Sequence, residues 1–199
     1  MFLLLITLNI SETLALKYAY FTRDIYQIQF QYPSDWVLEE KPNGLKEEPE
    51  IDVSNKKIGT GEIAIHYYHD LLKSFNTTNF DHLFSDFYIG RSTDNYRYEY
   101  KTVEPPSFFN VDGQKTGSFL VIFKQKSEVH PVYVEVQYWI TLVGNTGYVL
   151  EFLSTPENFN TSENLEIRDR FIQSINFIGS NNTTDASGRI SSVANLQSN

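Results

Sequence analysis

Residues 26–36 read YQIQFQYPSDW, and this run constrains the fold more than any other in the chain. Tyr26, Ile28, Phe30 and Tyr32 alternate with Gln27, Gln29 and Gln31, the period-2 pattern of a strand with one face buried and the other wet. Pro33 removes a ladder donor, and Ser34 and Asp35 supply turn chemistry. The strand therefore ends there, and Trp36 is placed to fold back over its apolar face.

At 199 residues, with 41% hydrophobic and 15% aromatic content, the chain can bury one substantial core but is short for two domains. Thirteen Tyr and fifteen Phe against one Met favour strands, because aromatic side chains pack well on a pleated surface. The net charge of -9, without any Lys/Arg cluster, argues against a phosphate-backbone interface, so nucleic acid is not an expected partner. With no cysteine, disulfides, a thiolate nucleophile and Cys-ligated zinc are excluded.

Residues 2–8 form an apolar run of signal-peptide length, far short of the roughly 20 residues of a membrane-spanning helix. Thr13, Leu14 and Ala15 offer small residues for cleavage after Ala15. Residues 1–15 are therefore expected to be a signal peptide, and the mature protein to be extracytoplasmic, secreted or at the cell surface, and not integral to a membrane. Asn76, Asn160, Asn181 and Asn182 each begin an N-x-Ser/Thr triplet, as does Asn9 inside the presumed signal, and are candidate glycosylation sites in expected loops and tail.

Along the chain, residues 39–50 hold five Glu with Pro42, Gly44 and Pro49, which reads as an exposed loop. Residues 51–53 form a short strand, and residues 62–68 (EIAIHYY) a stronger one with Ile63, Ile65 and Tyr67 on one face. Gly59 and Gly61 break the chain before it without the further residues of a phosphate loop. Asn79 caps a helix whose Phe80, Leu83, Phe84 and Phe87 make one stripe, with Gly90 as its stop. Tyr96, Tyr98 and Tyr100 lie on a strand expected to end before Pro105 and Pro106. Gly113 turns the chain into an apolar strand at 119–123.

The longest strand spans residues 132–143, with Val132, Val134, Val136, Tyr138, Ile140 and Leu142 on one face. Its other face carries Tyr133 and Trp139 beside Glu135, Gln137 and Thr141, so it is expected to be covered on both sides. A turn at residues 144–147 joins it to a strand at 148–154. Asn160 and Glu163 read as a capping box opening a helix through Asn176, with Leu165, Phe171, Ile172 and Ile175 inward. Residues 179–199 are rich in Ser, Asn and Thr, a composition expected to stay disordered. There is no repeat at a fixed period. The order is that of an α+β domain with an antiparallel sheet and two amphipathic helices covering it.

An early strand ending in YPSDW, a capped helix, and GYVLEFLSTPENF before a helix ending RFIQSINF together resemble the PsbP-like family, named for the extrinsic subunit of the photosystem II oxygen-evolving complex. The resemblance is to its secreted prokaryotic and archaeal domains and spans residues 22–178. Residues 30–36, residues 148–154 and the spacing of Phe171, Ser174 and Phe177 carry it. It implies an α/β/α sandwich around a central antiparallel sheet, and a non-catalytic accessory or binding role with a protein partner or cell-envelope complex. Docking on a photosystem is not carried over, because the chain shows no basic N-terminal arm and fold is a poor guide to function.

The chemistry-bearing candidates are few. Glu62, His66 and His69 could hold a divalent metal if the backbone bends after Tyr68; in a continuous strand the two histidines point to opposite faces and are structural. The carboxylates of residues 39–52 could gather calcium, but no D-x-[DN]-x-[DN]-G pattern fixes them, and a solvated acidic surface is the plainer reading. His130 reads as a turn residue and His82 as exposed. No G-x-S-x-G elbow is present. The expected function is an exported non-catalytic accessory or binding module with no cofactor. The alternative is a metal-dependent or carboxylate-based hydrolase.

Overall fold

The computed structural model describes residues 16–41, 50–56, 61–74, 77, 79–95, 97–126 and 132–178. The proposed signal peptide at 1–15, the tail at 179–199, Asn76, Asn181, Asn182 and His130 lie outside them. The strands are β1 (Tyr18–Arg23), β2 (Ile28–Pro33), β3 (Val37–Lys41), β4 (Glu50–Ser54), β5 (Glu62–Tyr68), β6 (Tyr98–Val111), β7 (Gln114–Gln125), β8 (Tyr133–Val143), β9 (Thr146–Ser154) and β10 (Asn176–Phe177). The helices are α1 (Leu71–Ser74), α2 (Phe80–Ser92), α3 (Pro156–Phe159) and α4 (Ser162–Ser174).

Seven strands form an antiparallel sheet in the order β3-β4-β5-β9-β8-β7-β6, and β1-β2-β10 form a second, three-stranded one. The long strand β8 behaves as its two apolar faces require: it is buried from Glu135 to Thr141, with Trp139 in one hydrophobic cluster and Val136, Tyr138 and Ile140 in another. A two-residue turn with Gly144 at φ +62° joins it to β9, pairing Val143 with Thr146.

The expected antiparallel sheet with helices on it is present, but helices alone do not cover both faces. On one face α2 seats Phe84 and Phe87 against Phe119, with centroids 5.9 and 6.3 Å apart. Gly117 permits this approach, since a Cβ there would overlap the Phe84 ring. On the other face β1 and β2 share the cover with α4: Phe171 meets Phe30 at 5.5 Å and Trp139 at 6.0 Å. Ile28 and Phe30 are fully buried, and Tyr148 Oη donates to the carbonyl of Tyr26 at 2.9 Å. The glutamine face of β2 is not uniformly wet. Gln31 is buried because Arg170 Nε donates to its side chain at 2.6 Å and Ser174 Oγ accepts from its backbone N–H at 2.8 Å.

Other expectations shift for local reasons. Glu39 and Glu40 lie in β3 rather than a loop, opposite Asp52 and Ile51, because an edge strand tolerates charge and Lys56 and Arg23 pair with them. β6 runs through Pro105 and Pro106 because it is the opposite edge, where register shifts between Thr102 and Ser107 remove the need for their missing donors. Helix α2 continues past Gly90 to Ser92. Thr161, not Asn160, caps α4, its Oγ1 accepting from Asn164 N–H, while Asn160 closes the short α3. The helix stops at Ser174, so Asn176 pairs with Gln29 in β10. Strand β1 had no expectation, its pattern being weak: Phe21 is buried but Tyr20 is 64% exposed.

Trp36 follows a turn in which its N–H donates to the Pro33 carbonyl at 3.0 Å, and it is buried in the same cluster as Ile28 and Phe30. Trp36→Ala should cost roughly 3–5 kcal/mol through lost burial and a cavity, whereas His69→Ala at an exposed turn should cost on the order of 1 kcal/mol or less. Equilibrium denaturation of the two variants checks both.

Candidate functional site: an acidic cleft on the large sheet

Along β5, Glu62, Ala64 and His66 point to the face that carries α2, since Ile63, Ile65 and Tyr67 fill the opposite cluster. Across the ladders Ala64 stands opposite Asp52 and Glu151, and His66 opposite Glu50 and Val149. The stripe of α2 packs over β6 and β7, and among the described residues no helix covers the β4–β5 side of this face. The result is a cleft of about 290 Å³ to which β4, β5, β9, β8, β6 and the end of α2 all contribute. Its walls include Glu50, Glu62, His66 and Glu151, the rings of Tyr98, Tyr100 and Tyr138, and Arg91.

The charges are unevenly matched. His66 Nε2 lies 3.5 Å from Glu151 Oε1. Lys41 pairs with Asp52 and, at 3.4 Å, with Glu50. Asp52 Oδ1 is buried without a hydrogen-bond partner among the described residues. Burial raises the Asp52 pKa above the ordinary carboxylate range, opposed by its bond to Lys41 and reinforced by Glu50. Burial likewise raises Glu62, with the negative field of Asp52 adding to it. For His66, burial pushes the pKa down, but the bond to Glu151 and the fields of Glu151 and Glu50 outweigh it, so the net shift is upward. Burial and Glu151 push the Tyr138 phenol strongly up, so it stays neutral. Arg91 stacks on Phe87 and Tyr138, 5.3 and 5.8 Å from their centroids. Such a surface can attract cations and hold protons on carboxylates.

The structure thus brings Glu62 and His66 into one cleft but not His69. That residue is exposed in the turn after β5, its ring 5.0 Å from that of Tyr67, which belongs to the opposite face. The three-residue metal set does not assemble, and among the described residues no group of three His, Asp or Glu side chains is arranged to hold a metal. Of the acidic run, Glu50 reaches the cleft and Asp52 its edge, while Glu39 and Glu40 turn to Lys56 and Arg23. Asn160 is exposed between α3 and α4, and His82 is exposed on α2. Glu151, Arg91, Tyr98 and Tyr100 were not singled out as site residues. A carboxylate inside the apolar run YVLEFL was the signal available for Glu151.

No protein-family model matches the chain, and no curated protein does. Among solved structures it is similar to cyanobacterial PsbP from Synechocystis sp. PCC 6803, at 9% identity and a TM-score of 0.56 over 83% of this chain and 95% of that one. The protein therefore has the PsbP fold, as the sequence resemblance implied. It is also similar to a protein from Bacteroides thetaiotaomicron, at 14% identity and a TM-score of 0.47 over 76% of this chain, and spans 45% of that protein's length. A third likeness is to the Saccharomyces cerevisiae Ran-binding protein Mog1p, at 11% identity and a TM-score of 0.45 over 82% of this chain and 97% of that one.

Two measurements probe the cleft. Because the folded His66 pKa is raised above its ordinary value, its stabilising contribution is fully present below the unfolded pKa of about 6.5 and is lost as pH rises through the folded value. An NMR titration of the ring should show a midpoint above that of a free histidine, and Glu151→Gln should lower that midpoint, because burial and Arg91 are then opposed only by the field of Glu50. For Glu62 the raised pKa means that the charged form is disfavoured by folding, a penalty relieved as pH falls through the folded pKa. Glu62→Gln should therefore melt roughly 1–3 °C above wild type at neutral pH and lose that margin in acid, as read by calorimetry.

Proposed function

We propose that the protein is an exported, non-catalytic accessory module that binds a positively charged surface of a protein partner in a larger extracytoplasmic complex. The observation that carries this reading is the convergence of Glu50, Glu62, Glu151 and neighbouring Asp52 at one open cleft, with Lys41, Arg91 and His66 as the countercharges. Negative charge in excess of its countercharges on a folded face steers and selects basic partners. The net charge of -9 adds to that field and disfavours nucleic acid. Export rests on the apolar run at 2–8 with small residues at Ala15, and none of the described helices is long and apolar enough to cross a membrane. For an exported chain, Asn160 is an accessible glycan acceptor, and Asn76, Asn181 and Asn182 are the other candidates.

One observation favours a carboxylate-based hydrolase as the second reading: two carboxyls pushed upward by burial, Asp52 and Glu62, share the sheet face of a histidine paired with a third. Pull-down of the tagged protein from its native host separates the two readings. A binding module should retain a partner that is released as salt rises beyond about 0.15 M, where screening shortens to about 8 Å, and should lose it in a Glu50→Lys/Glu62→Lys double variant. A partner held equally well by that variant, or hydrolytic turnover abolished by Glu62→Gln, would overturn the proposal.

A further inference from the structure

The cleft already seats one side-chain cation. The Arg91 guanidinium rests on the Tyr138 ring, and Glu151 stands opposite Tyr138 in the β8–β9 ladder. An aromatic face backed by a carboxylate selects guanidinium or alkylammonium groups over small hydrated ions, because the ring quadrupole attracts the charge and these groups give up water readily.

The remainder of the cleft repeats both components. Tyr98 and Tyr100 stand with ring centroids 6.0 Å apart, each braced on Phe123 at 5.5 and 6.0 Å. Glu50 and Glu62 line the same space. Of the main charges acting on Glu62 among the described residues, Asp52, Glu50 and Glu151 are negative and Lys41 is positive, and Lys41 is engaged by Asp52 and Glu50. Asp52 Oδ1, almost wholly buried beside this group, has no hydrogen-bond donor among the described residues. The opening of about 290 Å³ is far larger than the ~30 Å³ of one water and suits the end of a long basic side chain or a small amine.

We propose that the part of the cleft between Tyr98, Tyr100 and the carboxylates Glu50 and Glu62 is a binding subsite for an organic cation, an alkylammonium or guanidinium group, seated beside Arg91 much as Arg91 is seated on Tyr138. The inference rests on reading the acidic cleft as a binding surface and names the chemistry that surface recognises. The cation can belong to a lysine or arginine side chain of a partner or to a free amine, and the two share this recognition.

The test is a calorimetric and NMR titration of the full chain with n-butylammonium chloride, Nα-acetyl-arginine amide, the neutral isostere butanamide, and calcium chloride. Saturable binding of the two organic cations is expected, with shifts at Glu62, Ala64 and Tyr100, and none for butanamide or calcium. A peptide-like probe that binds more tightly than butylammonium assigns the subsite to a partner's side chain, and the reverse order assigns it to a free amine. Glu62→Gln and Tyr100→Leu should each weaken binding about tenfold, the loss expected for one charge-assisted or cation–π contact. Arg91→Ala should tighten it or add a second equivalent by freeing the Tyr138 ring and removing a neighbouring positive charge, which a purely structural arginine would not do. The inference is overturned by absent saturation, by equal binding of butanamide, by calcium outcompeting the organic cations, or by unchanged affinity in a folded Glu62→Gln. Partner capture that fails while cation binding persists would count against the protein-binding reading alone. Capture that persists without cation binding would count against this subsite alone.

Discussion

The rest of the structure depends on the burial of β8 and β9 on both faces. In β8 the side chains of Val136, Tyr138 and Ile140 go one way and Trp139 the other, and in β9 Val149 and Leu150 divide similarly. A strand pair without a wet side needs two covers, each of which must present aromatic or branched side chains at matching spacing. Helix α2 supplies one through Phe84 and Phe87. The other is assembled from distant parts of the chain, β1 and β2 from its start and α4 from its end, held by the Phe30–Phe171 contact and the Arg170–Gln31 hydrogen bond. The chain ends of the domain are thereby fastened on one side, away from the acidic cleft.

That asymmetry explains where the cleft lies. A 13-residue helix is about 20 Å long, too short to roof a seven-stranded sheet, and α2 is spent over β6 and β7. Beyond it the same face carries Glu50, Glu62 and the buried Glu151 instead of an apolar stripe, so among the described residues no hydrophobic cover closes over β4 and β5. The carboxylates repel one another and are partly desolvated, which is the reverse of what a stability-driven sequence would place there. Their cost to the fold is the physical ground for reading the cleft as functional.

Much of the architecture was legible because period-2 patterns with long apolar runs leave little choice. The two-sided burial of β8, the Asn79 cap of α2 and the Gly144 turn all follow from local residue chemistry. The missed features depend on neighbours that a linear reading does not see. Glu39 and Glu40 sit in a strand because β4 offers a ladder, and β6 passes two prolines because it has no outer neighbour among the described strands. The site was half legible for the same reason. Glu62 and His66 share a strand face at a spacing of four, so the alternation places them together. Glu151 and Arg91 reach them only through the β5–β9 register and the angle of α2, and His69 is lost to a turn whose direction the sequence leaves open.

The two edges of the large sheet have a consequence for association. β3 presents Glu39 and Lys41, and β6 interrupts its outer row of donors with Pro105 and Pro106 and breaks register beside them. Neither offers the flat, uninterrupted line of N–H and C=O groups that a second chain needs to continue the ladder. Growth by strand addition is disfavoured at both ends, even though β6 carries exposed Phe108 and Phe109 that would otherwise invite it. Edges built in this way disfavour templated stacking of the large sheet, and leave its faces as the better surface for contact with other molecules.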